Sequence, residues 1–209
     1  IPGALPQKLL GVTRRHGPAH DHRRVVIEQE SHAHQLHAVF FDCRTEDIRT
    51  VPFPPSLALI VADSGRQREL ASGEYNLRRI ETQDAAHSFG VRALRDLKSA
   101  QINERRDIPD LLRRRALHVV EENERVWRAV KLLEAGDGRG FGELMNASHE
   151  SSRRNFENST PELDLLVSIT QRLTGVLGAR LTGAGFGGAT VTLCQKNAAP
   201  AVAQQLAAH

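Results

Sequence analysis

The stretch from Arg180 to Cys194, Arg-Leu-Thr-Gly-Ala-Gly-Phe-Gly-Gly-Ala-Thr-Val-Thr-Leu-Cys, constrains the fold more than any other part of this chain. Its glycines, at 183, 185, 187 and 188, lead into a run in which Ala189, Val191 and Leu193 share one side and Thr190 and Thr192 the other. That period of two is the period of a strand. A glycine-rich loop entering a strand can turn through positive φ and come close to a ligand or a second loop, and its N–H groups can converge on a phosphate. A tight bulge that serves only packing has the same composition, so the surrounding chain must decide.

Two other runs read as interior strands, Ala38 to Cys43 and Leu57 to Ala62, separated by a turn around Thr45-Glu46-Asp47 and a proline-rich connection at 52–55. Asp63-Ser64-Gly65 closes the second, and a long helical stretch follows from about Ala71 to Lys98. If Leu77 and Ile80 face the core there, Tyr75 faces away from it, on the side it shares with Arg79. Its phenol then either covers a helix end or aims into a cleft. Ala116, Val119, Val120, Asn123, Val126, Trp127, Val130 and Leu133 recur at helical spacing, and Gly136 ends that helix. Asp137 can cap the next, which carries Phe141, Leu144, Met145 and Ser148 on one side. Thr160-Pro161-Glu162 is a helix start, with Leu163, Leu166, Val167 and Leu173 as the buried side. Ala198 to His209 supplies a last, alanine-rich helix. Strands at both ends with a helical block between them predict an α+β fold, a two-layer sandwich of an antiparallel sheet packed on the helices.

Only 4% of the 209 residues are aromatic, so the core must be aliphatic. The net charge of +3 could suggest nucleic acid, but the arginines are interspersed with glutamates and no aromatic-basic surface is visible, so no nucleic-acid partner is expected. No apolar run reaches the length of a membrane span and no charged-then-apolar leader opens the chain, which predicts a soluble, cytoplasmic protein with no membrane partner. Cys43 and Cys194 lie in strand-like runs and read as buried thiols rather than a disulfide. Residues 1–37 fit neither flank: Pro2, Pro6 and Pro18 interrupt them, and six histidines (16, 20, 22, 32, 34 and 37) crowd among arginines without the spacing of a metal site. The expected division is an irregular segment at 1–37 and one domain at 38–209, with no metal ligands.

Several blocks add up to a resemblance. Phe41-Asp42-Cys43-Arg44, Val61-Ala62-Asp63-Ser64-Gly65, the run from Arg68 to Arg79, His118 to Arg125, Met145-Asn146-Ala147-Ser148-His149 and Pro161-Glu162-Leu163-Asp164 resemble, in this order, the second half of galactokinases. Leu181 to Gly188 resembles the third signature of the wider GHMP small-molecule kinase family, and the likeness covers about residues 38–195. It implies the C-terminal domain of a GHMP kinase, phosphoryl transfer from ATP with Mg2+ to the C1 hydroxyl of a galactose-type monosaccharide, and an aspartate as the proposed base. On that likeness Tyr75 corresponds to the tyrosine whose hydroxyl binds the sugar. Thr182, Gly183, Ala184, Gly185, Gly187 and Gly188 correspond to the loop that lines the active site and supports the phosphate region.

Three family features have no counterpart. The sugar-binding arginine with its Gly-Glu-His-x-Asp-Tyr signature and the Gly- and Ser-rich phosphate loop would both lie upstream of Ile1. This chain alone is therefore expected to be inactive, with the N-terminal half of the family as its partner; a non-catalytic relic or binding half-domain is the alternative. The block carrying the base, Cys-Gly-Ile-Met-Asp-Gln, should follow Gly11-Val12 and does not. Glu28 is the nearest surrogate, only fourteen residues before Asp42, and no catalytic residue is assigned. Codons for Thr13 to Pro18, read from their second base, permit Pro-Gly-Val-Met-Asp-Gln, so residues 13 to about 37 are expected to be translated out of frame.

Overall fold

The computed structural model describes residues 23–29, 36–65 and 73–208, the first of these by backbone alone. It contains two antiparallel three-stranded sheets. Strands β1 (Arg23–Gln29), β2 (Leu36–Asp42) and β3 (Ile48–Pro52) pair in that order, and β4 (Leu57–Asp63), β5 (Val176–Leu181) and β6 (Ala189–Gln195) pair as β4-β6-β5. The helices α1 (Glu74–Ser88), α2 (Ser99–Glu104), α3 (Asp110–Glu134), α4 (Gly138–Ser151) and α5 (Pro161–Thr170) come between β4 and β5, and α6 (Ala199–Ala207) follows β6.

This is the expected α+β arrangement of antiparallel strands against a helical block, with two small sheets. One strand was not expected: β1 lies inside the segment read as irregular and pairs with β2 from Arg23 opposite Asp42 to Gln29 opposite Leu36. Val25, Val26 and Ile27 are β-branched and favour extended backbone. The reading of Leu57 to Ala62 as an interior strand is corrected as well. Among the described strands β4 is an edge, and its Val61 is 68% exposed.

Packing sets where β5 and β6 go. One core joins Phe40 and Val51 of the first sheet, and Phe53 just after β3, to Leu57 and Leu193 of the second through Val130, Leu133, Phe141 and Met145 of α3 and α4. The alternate positions of the second sheet, Thr190, Thr192, Ala179 and Leu181, are buried too, and α5 and α6 contribute Leu163, Val167, Val202 and Leu206 to the buried set. Helix α4 reaches β5 backbone to backbone. A Cβ on Gly142 would fall 2.3 Å from the Leu177 carbonyl oxygen, and one on Gly178 would fall 2.1 Å from that of Gly142. No larger residue allows that approach.

Helix α1 departs from its expected facing. Leu77 and Ile80, read as core-facing, are 49% and 46% exposed, and the buried residues of α1 are Ala85 and Ala86. Polar anchoring explains the rotation: Arg78 and Glu81 turn inward to ionic and carbonyl partners, which carries the leucine and isoleucine outward. The helix is also shorter than expected, because Gly90 takes a left-handed backbone and a 3₁₀ turn at Leu94–Asp96 intervenes before α2. That turn is held by Arg95, which donates to both carboxylate oxygens of the buried Asp42 at 2.8 and 2.6 Å. The α3 stripe is buried as expected except at Val126, which is half-buried, and Trp127, which is partly exposed and lies against Phe40 with ring centroids 4.8 Å apart.

Candidate active site

The glycine loop spans the gap between β5 and β6. Its base is closed by the Thr182 N–H donating to the Ala189 carbonyl at 2.9 Å, and it is tied to the end of β4 by the Ser64 N–H donating to the Gly188 carbonyl at 2.7 Å. Gly183, Gly185, Gly187 and Gly188 all have positive φ, and so does Phe186 at 58°. The segment that supports the loop is Asn158. Its carbonyl accepts the Phe186 N–H at 2.7 Å, and its Nδ2 donates to the Ala184 carbonyl at 2.9 Å. Gly185 passes so close that a Cβ there would sit 2.1 Å from the Asn158 carbonyl oxygen. The glycine pattern is thus a packing requirement against Asn158 as well as a conformational one.

Tyr75 sits in the first turn of α1 and is 47% exposed. One turn on, Arg78 donates through Nε to the Phe156 carbonyl at 2.6 Å, through Nη2 to the Glu157 carbonyl at 3.2 Å and through Nη1 to Glu81 at 3.0 Å. Its guanidinium carbon lies 6.0 Å from the centre of the Phe186 ring. The residues on either side of the loop therefore come together: α1 reaches it through Arg78, and the chain reaches it through Asn158. Arg79, the expected neighbour of Tyr75, is half-buried and not the contact residue. Positions three and four apart share a helix face, so the spacing allowed either arginine.

Arg115 of α3 completes the support. It is 1% exposed and donates to Glu81 at 2.6 Å, to the Asn155 carbonyl at 2.6 Å and to Glu157 at 2.8 Å. Glu157 has a left-handed backbone, with φ of 55°, after the π-helical turn Ser152–Phe156. Its hydrogen bonds from Arg114 and Arg115 outweigh desolvation and hold its carboxyl at about 2.

Polar side chains of α4 satisfy the outer edge of β5. Asn146 Oδ1 accepts the Ala179 N–H at 2.9 Å, and His149 Nδ1 accepts the Leu181 N–H at 3.3 Å, just before the loop. With Nδ1 accepting, the proton of neutral His149 is on Nε2, 3.2 Å from Asp164. Burial lowers the His149 pKa, Asp164 opposes this, and Arg180 adds to it. Beside them Glu122 accepts from the Ser148 hydroxyl at 2.7 Å and faces Arg125 at 2.6 Å and Arg180 at 3.7 Å. Burial alone would raise its pKa, but Arg180, His118, Arg125 and the Ser148 hydroxyl together hold it at about 2.

The architecture has known relatives. Residues 129–209 match the family model described as GHMP kinases C terminal. The chain carries a GHMP kinase C-terminal domain. It is 45% identical over 177 residues to a galactokinase of Roseiflexus sp., covering 82% of this chain and 45% of that protein. To a galactokinase of Bos taurus it is 42% identical over 172 residues, covering 81% of this chain and 44% of that one. Among solved structures, Lactococcus lactis galactokinase complexed with galactose matches with a TM-score of 0.77 and 33% identity, over 81% of this chain and 46% of that one. The chain thus spans less than half the length of the relatives it matches.

Sequence reading picked out Tyr75 and the glycine loop but missed Arg78, Arg115, Glu157 and Asn158. Nothing in their spacing marks them, although Asn158 stands just before the Thr160 helix start. Glu28 lies in β1 opposite His37, and its side chain is outside the described residues, as are His16, His20, His22, His32 and His34. Among the described residues no three His, Cys, Asp or Glu gather to hold a metal, and no helix is long and apolar enough to cross a membrane.

Proposed function

We propose that this chain is the C-terminal half of a galactokinase-type sugar kinase, in which Tyr75 hydrogen-bonds a hydroxyl of a galactose-type monosaccharide and the loop Thr182–Gly188 supports the transferring phosphate. The observation that carries the reading is the Arg78–Phe186 approach, which brings the turn after Tyr75 to the glycine loop. ATP with Mg2+ would supply the phosphoryl group accepted by the C1 hydroxyl. The loop fits the phosphate part of that group: among the described residues, the N–H groups of Gly183 and Ala184 donate to no protein acceptor. Mg2+ is assigned to the family's phosphate loop in the upstream half, and the base to the Met-Asp-Gln block that the family carries after Gly11-Val12 and that this chain lacks. Leu77 and Ile80, half exposed on the helix that bears Tyr75, support a covering partner of that kind. The buried thiol of Cys194 suits a cytoplasmic setting.

Positioning and charge stabilisation supply most of the catalysis in phosphoryl transfer, so these 209 residues alone should not turn over. A coupled ADP-release assay tests both statements. The chain with the Met-Asp-Gln frame restored after Gly11-Val12, mixed with an upstream half bearing the sugar and nucleotide signatures, should release ADP in response to galactose, and the chain alone should not. Background rates from the mixture would overturn the kinase reading. We further read residues 13 to about 37 as out of frame; gene sequence in which no neighbouring frame encodes Met-Asp-Gln after Gly11-Val12 would remove that reading.

A further inference from the structure

The geometry points to Arg78 as a positioning residue that locks the Tyr75 end of α1 to the glycine loop, so that the sugar-facing and phosphate-facing parts of the site move as one body. The inference rests on the proposed roles of Tyr75 and the loop, but the mechanical link it describes is a property of this chain. Arg78 has a 13% exposed side chain and uses its guanidinium in three directions: to the Phe156 carbonyl, to the Glu157 carbonyl and to Glu81. Its planar face is left for the Phe186 ring. A lysine has donors but no planar fork and no face to stack, so it can fill only part of this role.

The two carbonyls that Arg78 holds belong to the residues immediately before Asn158, which in turn holds Ala184 and Phe186. Residues 156–158 are therefore a short strap with α1 on one end and the loop on the other. Arg115 fixes the same strap from α3 through Asn155 and Glu157. Phe186 has a left-handed backbone that a non-glycine residue holds only when its surroundings over-determine it. Here these are the Asn158 carbonyl and the Arg78 guanidinium. Displacing the loop must either break the Asn158 bonds or carry the strap, and through Arg78 the first turns of α1, along with it.

Tyr75 is the only tyrosine of the chain, so tyrosine-selective 13C labelling gives one ring signal by NMR. Phe186→Leu should shift that signal in the otherwise native chain, leave it unmoved in an Arg78→Met background, and shift it by an intermediate amount with Arg78→Lys. In parallel, Arg78→Met should speed hydrogen exchange at the Phe186 amide by about tenfold, the loss of one to two hydrogen bonds, while the amides of residues 119–130 in α3 keep their rates. A ring signal that ignores Phe186→Leu in the native background, or answers to it equally without Arg78, overturns the coupling. Exchange that rises equally in α3 also overturns it, since Arg78 would then serve overall stability only. If Arg78→Met does not fold, the Phe186→Leu arm and the Arg78→Lys chain still decide. Galactose titrated onto the labelled chain tests the sugar role of Tyr75 separately: a ring that answers to Phe186→Leu and ignores galactose removes that role and keeps the link.

Discussion

The Asn158 carbonyl oxygen accepts the Phe186 N–H at 2.7 Å and at the same time stands 2.1 Å from where a Cβ on Gly185 would be. One backbone atom therefore both fixes the loop and forbids a side chain at its middle. Gly185→Ala should force the loop off Asn158 and cost about 1–3 kcal/mol, combining a left-handed alanine with a backbone clash. Gly136→Ala, at similar φ but with nothing within 4 Å, should cost about 1 kcal/mol. Urea unfolding of the two variants compares them directly, and equal losses would show that the clash is relieved without effect.

Arg115 is the most buried ion of the support network. Replacing it with methionine keeps the volume but leaves Glu157 and the Asn155 carbonyl short of a donor, a change that typically costs about 3–5 kcal/mol for a buried pair. Glu81 retains Arg78 and Glu157 retains Arg114, so the lower end is expected. Chemical denaturation with an unchanged m-value would measure it.

Stability should fall in two acid windows. His149 has a lowered pKa, so the native state resists its protonation; stability is fully present above the unfolded value near 6.5 and declines as pH falls below it. Glu122 and Glu157 are held at about 2 in the native state, against 4.5 for the free side chain. Their contributions are complete above pH 4.5 and are lost as pH falls from there towards 2. Melting temperatures from pH 7.5 to 2 should show both declines. His149→Gln should flatten the first, and Glu122→Gln should reduce the second, leaving the Glu157 part.

In a restored full-length enzyme, Tyr75→Phe should weaken galactose use three- to tenfold, about 0.5–1.5 kcal/mol for one neutral hydrogen bond. Its ATP KM and Tm should stay nearly unchanged. A falling Tm with unchanged galactose kinetics would return Tyr75 to a role in covering the helix end.

The local pattern was enough for much of this domain. Alternation determined β6, periodicity determined the α3 and α4 stripes, and Asp137 and Thr160 cap their helices as their residue types require, accepting from Gly140 and Leu163. These features depend on residues a few positions apart, which sequence displays directly. The facing of α1 did not follow from spacing. Leu77 and Ile80 look like a core stripe, but the helix is turned by Arg78 and Glu81, whose partners lie on α3 and on residues 156–157, more than thirty positions away. The role of Asn158 was equally hidden, because its partners are brought to it only when β5 and β6 are packed. Sequence determined which residues could form a flexible glycine loop. Tertiary structure decided what that loop rests on, because a buried guanidinium or carbonyl takes whatever partner the fold delivers, at any separation along the chain.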